Sequence, residues 1–447
     1  MLIILLVIIE IVLSVRSATL GLSFYFALRL CVPPSARLAG VSVNTFLLLI
    51  FILCLFLFHS KLCRIIPRLF SLHGRYILFL FFSLFALTFF AQFVPLQYQH
   101  KELIQFFITE LFPCLLIPLV IRNKKDYKTI FFIIAFASLF NVCYGLLTYI
   151  INANPILDVF ASNIDLEELD PDFALSEEGR YGLTRKAIGI YSDKIFMALV
   201  SLLIYIYFYG KEFVNKRLRI SLLLISAVTC FFTTQRTSLF CLVIFLAIVI
   251  DKRTLKLYIK KYFLFLCVCF VILLTAPQFK VLRDFAYSAF YIFDDKKQEQ
   301  VDIGGSSVSV RVAQLESVVE LVGSDILPGF GYGFASYREG TSINVKEMYG
   351  LESYALKIVA NSGLLGFLFW LCFFYKLVRS SISIHGKNKK YIIAFNISYL
   401  LAILMTDTSG SFYLFFVFLE LNCVGTLLWN KKDEHVLLAV KTIKENR

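Results

Sequence analysis

A handful of polar groups in an otherwise apolar chain are of types that act on anionic substrates. Arg236 sits in Thr233-Thr234-Gln235-Arg236-Thr237-Ser238, a short polar break between two apolar stretches. A charge there is expensive and usually paired, so one reading is a cation turned inward onto an anionic ligand. The other is an interfacial arginine reaching for lipid headgroups. The crowding of hydrogen-bonding groups into so short a turn favours the first. Arg311 lies near the edge of a helical apolar stripe; taken alone it reads as a solvated arginine paired with a nearby acid. Its alternative is phosphate recognition by a planar five-donor fork that is charged at any pH. Glu352 opens a helix in Glu352-Ser353-Tyr354-Ala355-Leu356. The helix dipole alone favours a carboxylate there, and in isolation capping is its reading; the functional alternative is deprotonation of a sugar hydroxyl. Arg180 and Arg185 flank Tyr181-Gly182-Leu183-Thr184, where they either pair with Glu177 and Glu178 or bind ligand. Arg338 and Tyr354 complete the candidates for holding a phosphate or a glycan. Tyr332, Tyr337 and Tyr354 are placed to stack on sugars or, equally, to form an aromatic belt. His100 is isolated, so metal chemistry has no support.

These residues must be held by a membrane scaffold. Of 447 residues, 59% are hydrophobic and 17% charged, against roughly 45–50% and about 25% in soluble domains. That excludes an ordinary soluble enzyme and a disordered chain. Apolar stretches able to cross a ~30 Å hydrocarbon core fall near 1–15, 18–32, 41–58, 75–93, 103–121, 129–151, 191–209, 218–234, 237–250, 261–277, 354–378, 391–406 and 409–429. The first two are short and carry Glu10 and Arg29, so about 12–13 transmembrane helices are expected. The leading Met-Leu-Ile-Ile-Leu-Leu has no basic n-region, so no cleavable signal peptide is expected. The 11 cysteines lie in or beside apolar segments and show neither metal-ligand nor disulfide spacing.

The net charge of +13 records topology. Lys61, Arg64, Arg68, Arg122, Lys124, Lys125, Lys211, Lys216, Arg217, Lys252, Arg253, Lys387, Lys389 and Lys390 fall in alternate short loops, which marks those loops as cytoplasmic. Nucleic acid is not an expected partner. Two outer segments hold most of the 31 acids, and the longer is expected to have structure of its own. Within it Val308, Val312, Leu315, Val319 and Val322 repeat at the helical period. Pro328-Gly329-Phe330-Gly331-Tyr332-Gly333 then reads as a tight turn and not as a dinucleotide fingerprint. The expected division is N-terminal helices over 1–151, an acidic periplasmic loop over 152–190 and central helices over 191–277. A large periplasmic loop follows over 278–353, with an amphipathic helix at 307–322, then C-terminal helices over 354–429 and a basic cytoplasmic tail over 430–447.

With these residues in order, the chain resembles the O-antigen polymerase and ligase superfamily of bacterial envelope glycosyltransferases. The likeness is architectural along the whole chain and motif-level over about 180–370. It rests on Gly179-Arg180-Tyr181-Gly182, on Gln235-Arg236 in a short outer turn, and on Arg311 followed by Leu327-Pro328-Gly329-Phe330-Gly331-Tyr332-Gly333. Asn361-Ser362-Gly363-Leu364-Leu365-Gly366 in the re-entering helix completes it. Ligases usually carry histidine where this chain has Glu352, which points toward a polymerase and leaves the base unassigned.

The resemblance implies an all-α, GT-C-like transferase of the bacterial inner membrane, with its active site facing the periplasm and its C-terminus in the cytoplasm. It implies that a growing glycan moves from undecaprenyl pyrophosphate onto a lipid-linked repeat unit, with no cofactor or metal. Arg236 and Arg311 would stabilise charge on the leaving pyrophosphate and Glu352 would orient or deprotonate the acceptor hydroxyl. The partners it implies are the lipid-linked oligosaccharide, the bilayer and a chain-length regulator protein. The alternatives are a ligase acting on lipid A-core or protein, a lipid-linked oligosaccharide flippase, and an envelope assembly protein. Against the flippase, no internal symmetry appears and the unusual polar residues gather at one face.

Overall fold

The computed structural model describes residues 2–38, 41–59, 72–160, 187–191, 193–211, 215–233, 235–250, 312–316, 318, 323, 326–337, 353–385, 389–406 and 411–429. The chain is an all-α polytopic membrane protein. Its helices are α1 (Leu2–Arg16), α2 (Ala18–Cys31), α3 (Val43–Phe58), α4 (Gly74–Leu87), α5 (Leu96–Phe106), α6 (Phe112–Val120), α7 (Lys124–Ile151) and α8 (Pro155–Phe160). They continue as α9 (Lys194–Tyr209), α10 (Lys216–Phe232), α11 (Arg236–Val249), α12 (Phe334–Tyr337), α13 (Tyr354–His385), α14 (Lys389–Met405) and α15 (Phe412–Trp429). Two short strands, β1 (Arg37–Leu38) and β2 (Val41–Ser42), pair antiparallel with Arg37 opposite Ser42. Among the described residues each expected apolar stretch contains a helix; the stretch 261–277 lies outside them. Among the described residues, the helices over Leu96–Val120, Lys124–Ile151, Tyr354–His385 and Phe412–Trp429 are long and apolar enough to cross a membrane, and five more are shorter and apolar.

Polar residues in the loops start the helices. Asn123 accepts from the Lys125 and Asp126 amides to cap α7, Asp193 from Ile195 to cap α9, and Asn215 from Arg217 to cap α10. Each satisfies amides that lack an intrahelical partner. α15 is buried continuously from Phe412 to Gly425, as expected of a helix that is apolar all round. Tyr207 stacks on Phe418 and Tyr399 on Phe415, both at 4.1 Å between centroids.

Side-chain contacts define the two ends of the bundle. At one end His73, preceding α4, lies 2.7 Å from Glu420 on α15, and Ser381 near the end of α13 joins them at 3.3 Å. The basic residues Arg122, Lys124, Lys125, Lys211, Lys216, Arg217, Lys389 and Lys390 lie at or beside helix ends here. At the other end Arg29 on α2 pairs with Glu110 at 3.2 Å, and Glu110 also accepts the Tyr413 amide at 3.0 Å where α15 begins.

The bond from Arg29 to the Thr109 carbonyl has a cause in the sequence. Pro113 lacks the amide that Thr109 would accept from in a regular helix, and a π-turn over Phe107–Leu111 joins α5 to α6 at this point. In a bundle without water a freed carbonyl needs another donor. Arg29 is that donor.

Lys211 follows α9 and is buried over the Tyr207 ring at 4.6 Å. Burial lowers its pKa from 10.5 to about 7. The folded protein therefore binds fewer protons than the unfolded chain between about pH 7 and 10.5, and stability rises with pH across that window. Lys211→Met is expected to raise the thermal midpoint in detergent by several degrees at pH 6. That gain should shrink steadily as the pH is raised to 9, which thermal scans at both values measure. An equal gain at both would contradict a buried, titrating lysine.

Candidate functional site

α13 spans Tyr354–His385, yet the helix is interrupted. Gly363 has φ 64° and ψ −168°, a conformation essentially confined to glycine. Breaking a helix inside a bundle strips partners from the carbonyls before the break and the amides after it. The turn around Pro328 supplies both. Phe330 and Gly331 amides donate to Ala360 and Asn361 carbonyls at 2.9 and 3.1 Å. Leu364 and Leu365 amides donate in return to Ile326 and Leu327 carbonyls at 2.8 and 3.2 Å. The two backbones touch. A Cβ at Gly329 (φ 73°) would lie 2.4 Å from the Gly363 nitrogen, and one at Gly363 would lie 2.2 Å from the Leu327 oxygen. The glycine turn and the glycine break are thus two halves of one seat.

α5 and the segment before it hold the seat from the other side. The Val94 amide donates to the Phe330 carbonyl at 3.1 Å. Gln99, fully buried, donates from Nε2 to the Ala91 and Val94 carbonyls at 3.1 and 2.7 Å, while its Oε1 accepts the Tyr332 amide at 3.2 Å. Val94, Val318, Phe330, Phe334 and Ala360 close a small apolar core over it. Gln99→Leu removes three bonds to buried backbone groups, each worth about 1 kcal/mol, with a further desolvation penalty where no new partner is found. A drop of about 2–3 kcal/mol in stability is expected from that arithmetic, read as earlier denaturation in detergent. An unchanged midpoint would contradict this role.

Tyr354 begins the first half of α13 and is buried. Its amide donates to the Thr406 carbonyl at 3.3 Å, and the Ser353 hydroxyl donates to the Leu404 carbonyl at 2.7 Å, so α13 starts against the last turn of α14. The Tyr354 ring packs on Phe412 at 4.8 Å and Trp370 at 5.8 Å. Burial, together with Glu102 and Glu110 nearby, pushes the Tyr332 phenol above its ordinary range. Tyr332 is therefore a neutral hydroxyl at any physiological pH.

Arg236 is the first residue of α11 and is half-buried, with Thr237 and Ser238 buried beside it. Helix N-termini favour anions over cations, so nothing in the local helix favours an arginine here. α11 packs along α14, and Phe245 late in α11 meets Tyr391 early in α14 at 6.2 Å. The two run antiparallel, which puts Arg236 toward the same end of α14 that Ser353 and Tyr354 grip. The Ala187 amide donates to the Phe232 carbonyl at 3.1 Å and brings the chain preceding α9 to this turn. Arg236 and Tyr354 thus share one end of the bundle with the seated turn. Arg180, Arg185, Arg311, Arg338 and Glu352 lie outside the described residues.

The stretch from Ile220 in α10 to Leu371 in α13 contains Arg236, the turn, Tyr354 and the Gly363 break. Residues 220–371 match the O-antigen ligase family model. The match supports the O-antigen polymerase/ligase superfamily and, with it, a polymerase- or ligase-type glycosyltransferase activity on a lipid-linked oligosaccharide. No curated protein matches the chain.

Three features of the site escape a reading of the sequence. Gln99 looks like any polar residue on an interfacial helix, and its signal is visible only once the turn is seated on it. The Gly363 break has a signal in its glycine, but the apolar run through Leu364, Leu365 and Phe367 hides it. Arg29 and Glu110 lie far apart in the chain. The outer helix also turns a different face inward: Val312 and Leu315 are exposed, whereas Gln314 and Val318 are buried.

Proposed function

We propose that the chain is a repeat-unit polymerase, moving a growing glycan from a polyprenyl diphosphate onto a second lipid-linked repeat unit. The observation that carries this is the convergence of Arg236, the seated turn and Tyr354 at one end of the bundle, inside the family domain. That end lies opposite the one where the basic residues gather. Basic loops face the cytoplasm, so the site faces the periplasm of the inner membrane.

In the reaction the bond between the anomeric carbon and the diphosphate oxygen breaks, and the electron pair leaves with the polyprenyl diphosphate. The acceptor hydroxyl forms the new bond to the anomeric carbon, and its proton passes to a base, for which Glu352 is the candidate. Arg236, with Arg311, stabilises the charge that develops on the leaving diphosphate. Fixed cations aimed at developing charge are the largest single contribution in many enzymes. The seat positions the outer segment on the scaffold, so contacts made by that segment are held in register with Arg236.

A ligase is the second reading, favoured by the description of the matched family; Glu352, where ligases usually carry histidine, favours the polymerase. The test is the surface-glycan ladder of a deletion strain complemented with wild type, Arg236→Ala, Arg311→Ala or Glu352→Ala at matched membrane levels. A polymerase leaves a single core-plus-one-unit band in the deletion and in the arginine variants. Cores bare of any unit, with lipid-linked polymer accumulating, would instead identify a ligase.

A further inference from the structure

Besides Gln99, α5 presses two more side chains on the seated turn. Tyr98 and Glu102 stand one helical turn apart on one face, and both meet Gly333. A Cβ there would lie 2.7 Å from the Glu102 Cγ and 3.0 Å from the Tyr98 ring. The stem of Glu102 is thus pinned between α5 and the turn, which fixes where its carboxylate can reach. Glu102 is half-buried. Lys101 beside it and Lys357 in the first turn of α13 act on its charge. Among the described residues no donor is hydrogen-bonded to its carboxylate. A carboxylate that loses water without gaining a donor is destabilising, unless a ligand brings the donor.

The neighbours of Glu102 define that ligand. Tyr98 and Tyr337 of α12 pack ring against ring at 5.3 Å between centroids, and both are half-buried, so part of each remains exposed. The Lys101 ammonium lies 5.9 Å over the Tyr98 ring. A few polar groups set beside aromatic surface are the make-up of a small-molecule subsite. A saccharide matches this set. Its hydroxyls donate to a carboxylate and accept from an ammonium, and its C–H faces lie against aromatic rings. A diphosphate does not match, because the carboxylate repels it.

The two saccharides of the polymerase reaction need different grips. The donor reacts at the carbon bonded to its diphosphate, so Arg236 holds it next to the reacting atom. The acceptor reacts through a hydroxyl remote from its own diphosphate and must be held there by its sugars. We propose that Glu102, with the Tyr98–Tyr337 pair beside it, binds the saccharide of the acceptor, the carboxylate accepting from its hydroxyls. This rests on the polymerase reading for the identity of the saccharide.

The test uses the repeat-unit oligosaccharide freed from its lipid by mild acid, a probe that has no diphosphate and can act only as acceptor. Its binding to the full chain in phosphatidylcholine nanodiscs is followed by saturation-transfer NMR, and its extension by lipid-linked repeat units gives a KM for each substrate. Glu102→Ala is expected to weaken binding and raise the probe's KM by about tenfold or more, with the donor's KM within about twofold of wild type. Glu102→Gln, which keeps an acceptor but loses the charge, is expected to retain part of the affinity. Both variants are expected to keep the wild-type thermal midpoint, and Arg236→Ala to bind the probe normally. Wild type that does not bind the probe overturns the subsite, as does undiminished binding by Glu102→Ala or a rise confined to the donor's KM. A midpoint that falls in Glu102→Gln in step with its binding makes Glu102 a strut of the seat and overturns it too. Glu102-dependent binding by a wild type that extends neither the probe nor lipid-linked units upholds the subsite and removes the polymerase reading.

Discussion

Gly363→Ala is expected to abolish long glycan chains while the protein still reaches the membrane. The backbone there occupies a region that costs roughly 1–3 kcal/mol even where a side chain can be tolerated. Here it cannot be tolerated, because a Cβ would lie 2.2 Å from the Leu327 oxygen and 2.5 Å from the Gly329 nitrogen. Both are backbone atoms that no side-chain rotation can move. Relief requires the turn to leave the break, which forfeits the bonds from Phe330, Gly331, Leu364 and Leu365. α13 can then close into a continuous helix, a state its apolar sequence readily supports. Hydrogen–deuterium exchange over 326–337 should accelerate by 100-fold or more, and the glycan ladder should collapse to one unit. Wild-type exchange together with a wild-type ladder would show that the seat is not needed.

Arg236→Ala is the second large effect. Removing one donor aimed at developing charge lowers turnover by about 10²–10³-fold in well-studied enzymes, and a full positive charge in a partly water-excluded site is worth at least as much. The loss should appear in turnover more than in protein level, because a half-buried cation at a helix N-terminus contributes little to folding. Arg236→Lys should recover only part of the activity, since an ammonium cannot present two parallel donors to a diphosphate. Turnover of lipid-linked substrate by matched amounts of the three proteins measures this. Arg236→Ala protein that retains full turnover would remove Arg236 from the site.

Much of the scaffold is legible in the sequence because helices in a bilayer satisfy their own backbone and declare themselves as apolar runs. The turn at Pro328-Gly329 is also legible, since proline followed by glycine sets the dihedral angles that a turn needs. What Gly329 rests on is not. Its partner is Gly363, remote in the chain, and the seat consists of backbone bonds that no residue type advertises. Arg236 is conspicuous as a lone cation between apolar helices, whereas Gln99 is unremarkable until the Tyr332 amide is placed on it. Arg29 stands out as a charge in a short span, but its partners are a carboxylate 81 residues away and a carbonyl freed by Pro113. The inward face of the outer helix was misleading for a physical reason. Val312 and Leu315 share the apolar period with Val319, but the small core under the turn is completed by Val318, one position along.

The most direct measurement supplies the purified full chain, reconstituted in lipid vesicles, with polyprenyl-diphosphate-linked repeat units as the only saccharide. The expected result is a ladder of lengthening lipid-linked glycans, with one polyprenyl diphosphate released per unit added and the ladder lost in Arg236→Ala and Gly363→Ala. Transfer only after lipid A-core is added, with no lengthening of the lipid-linked glycan, would contradict a polymerase.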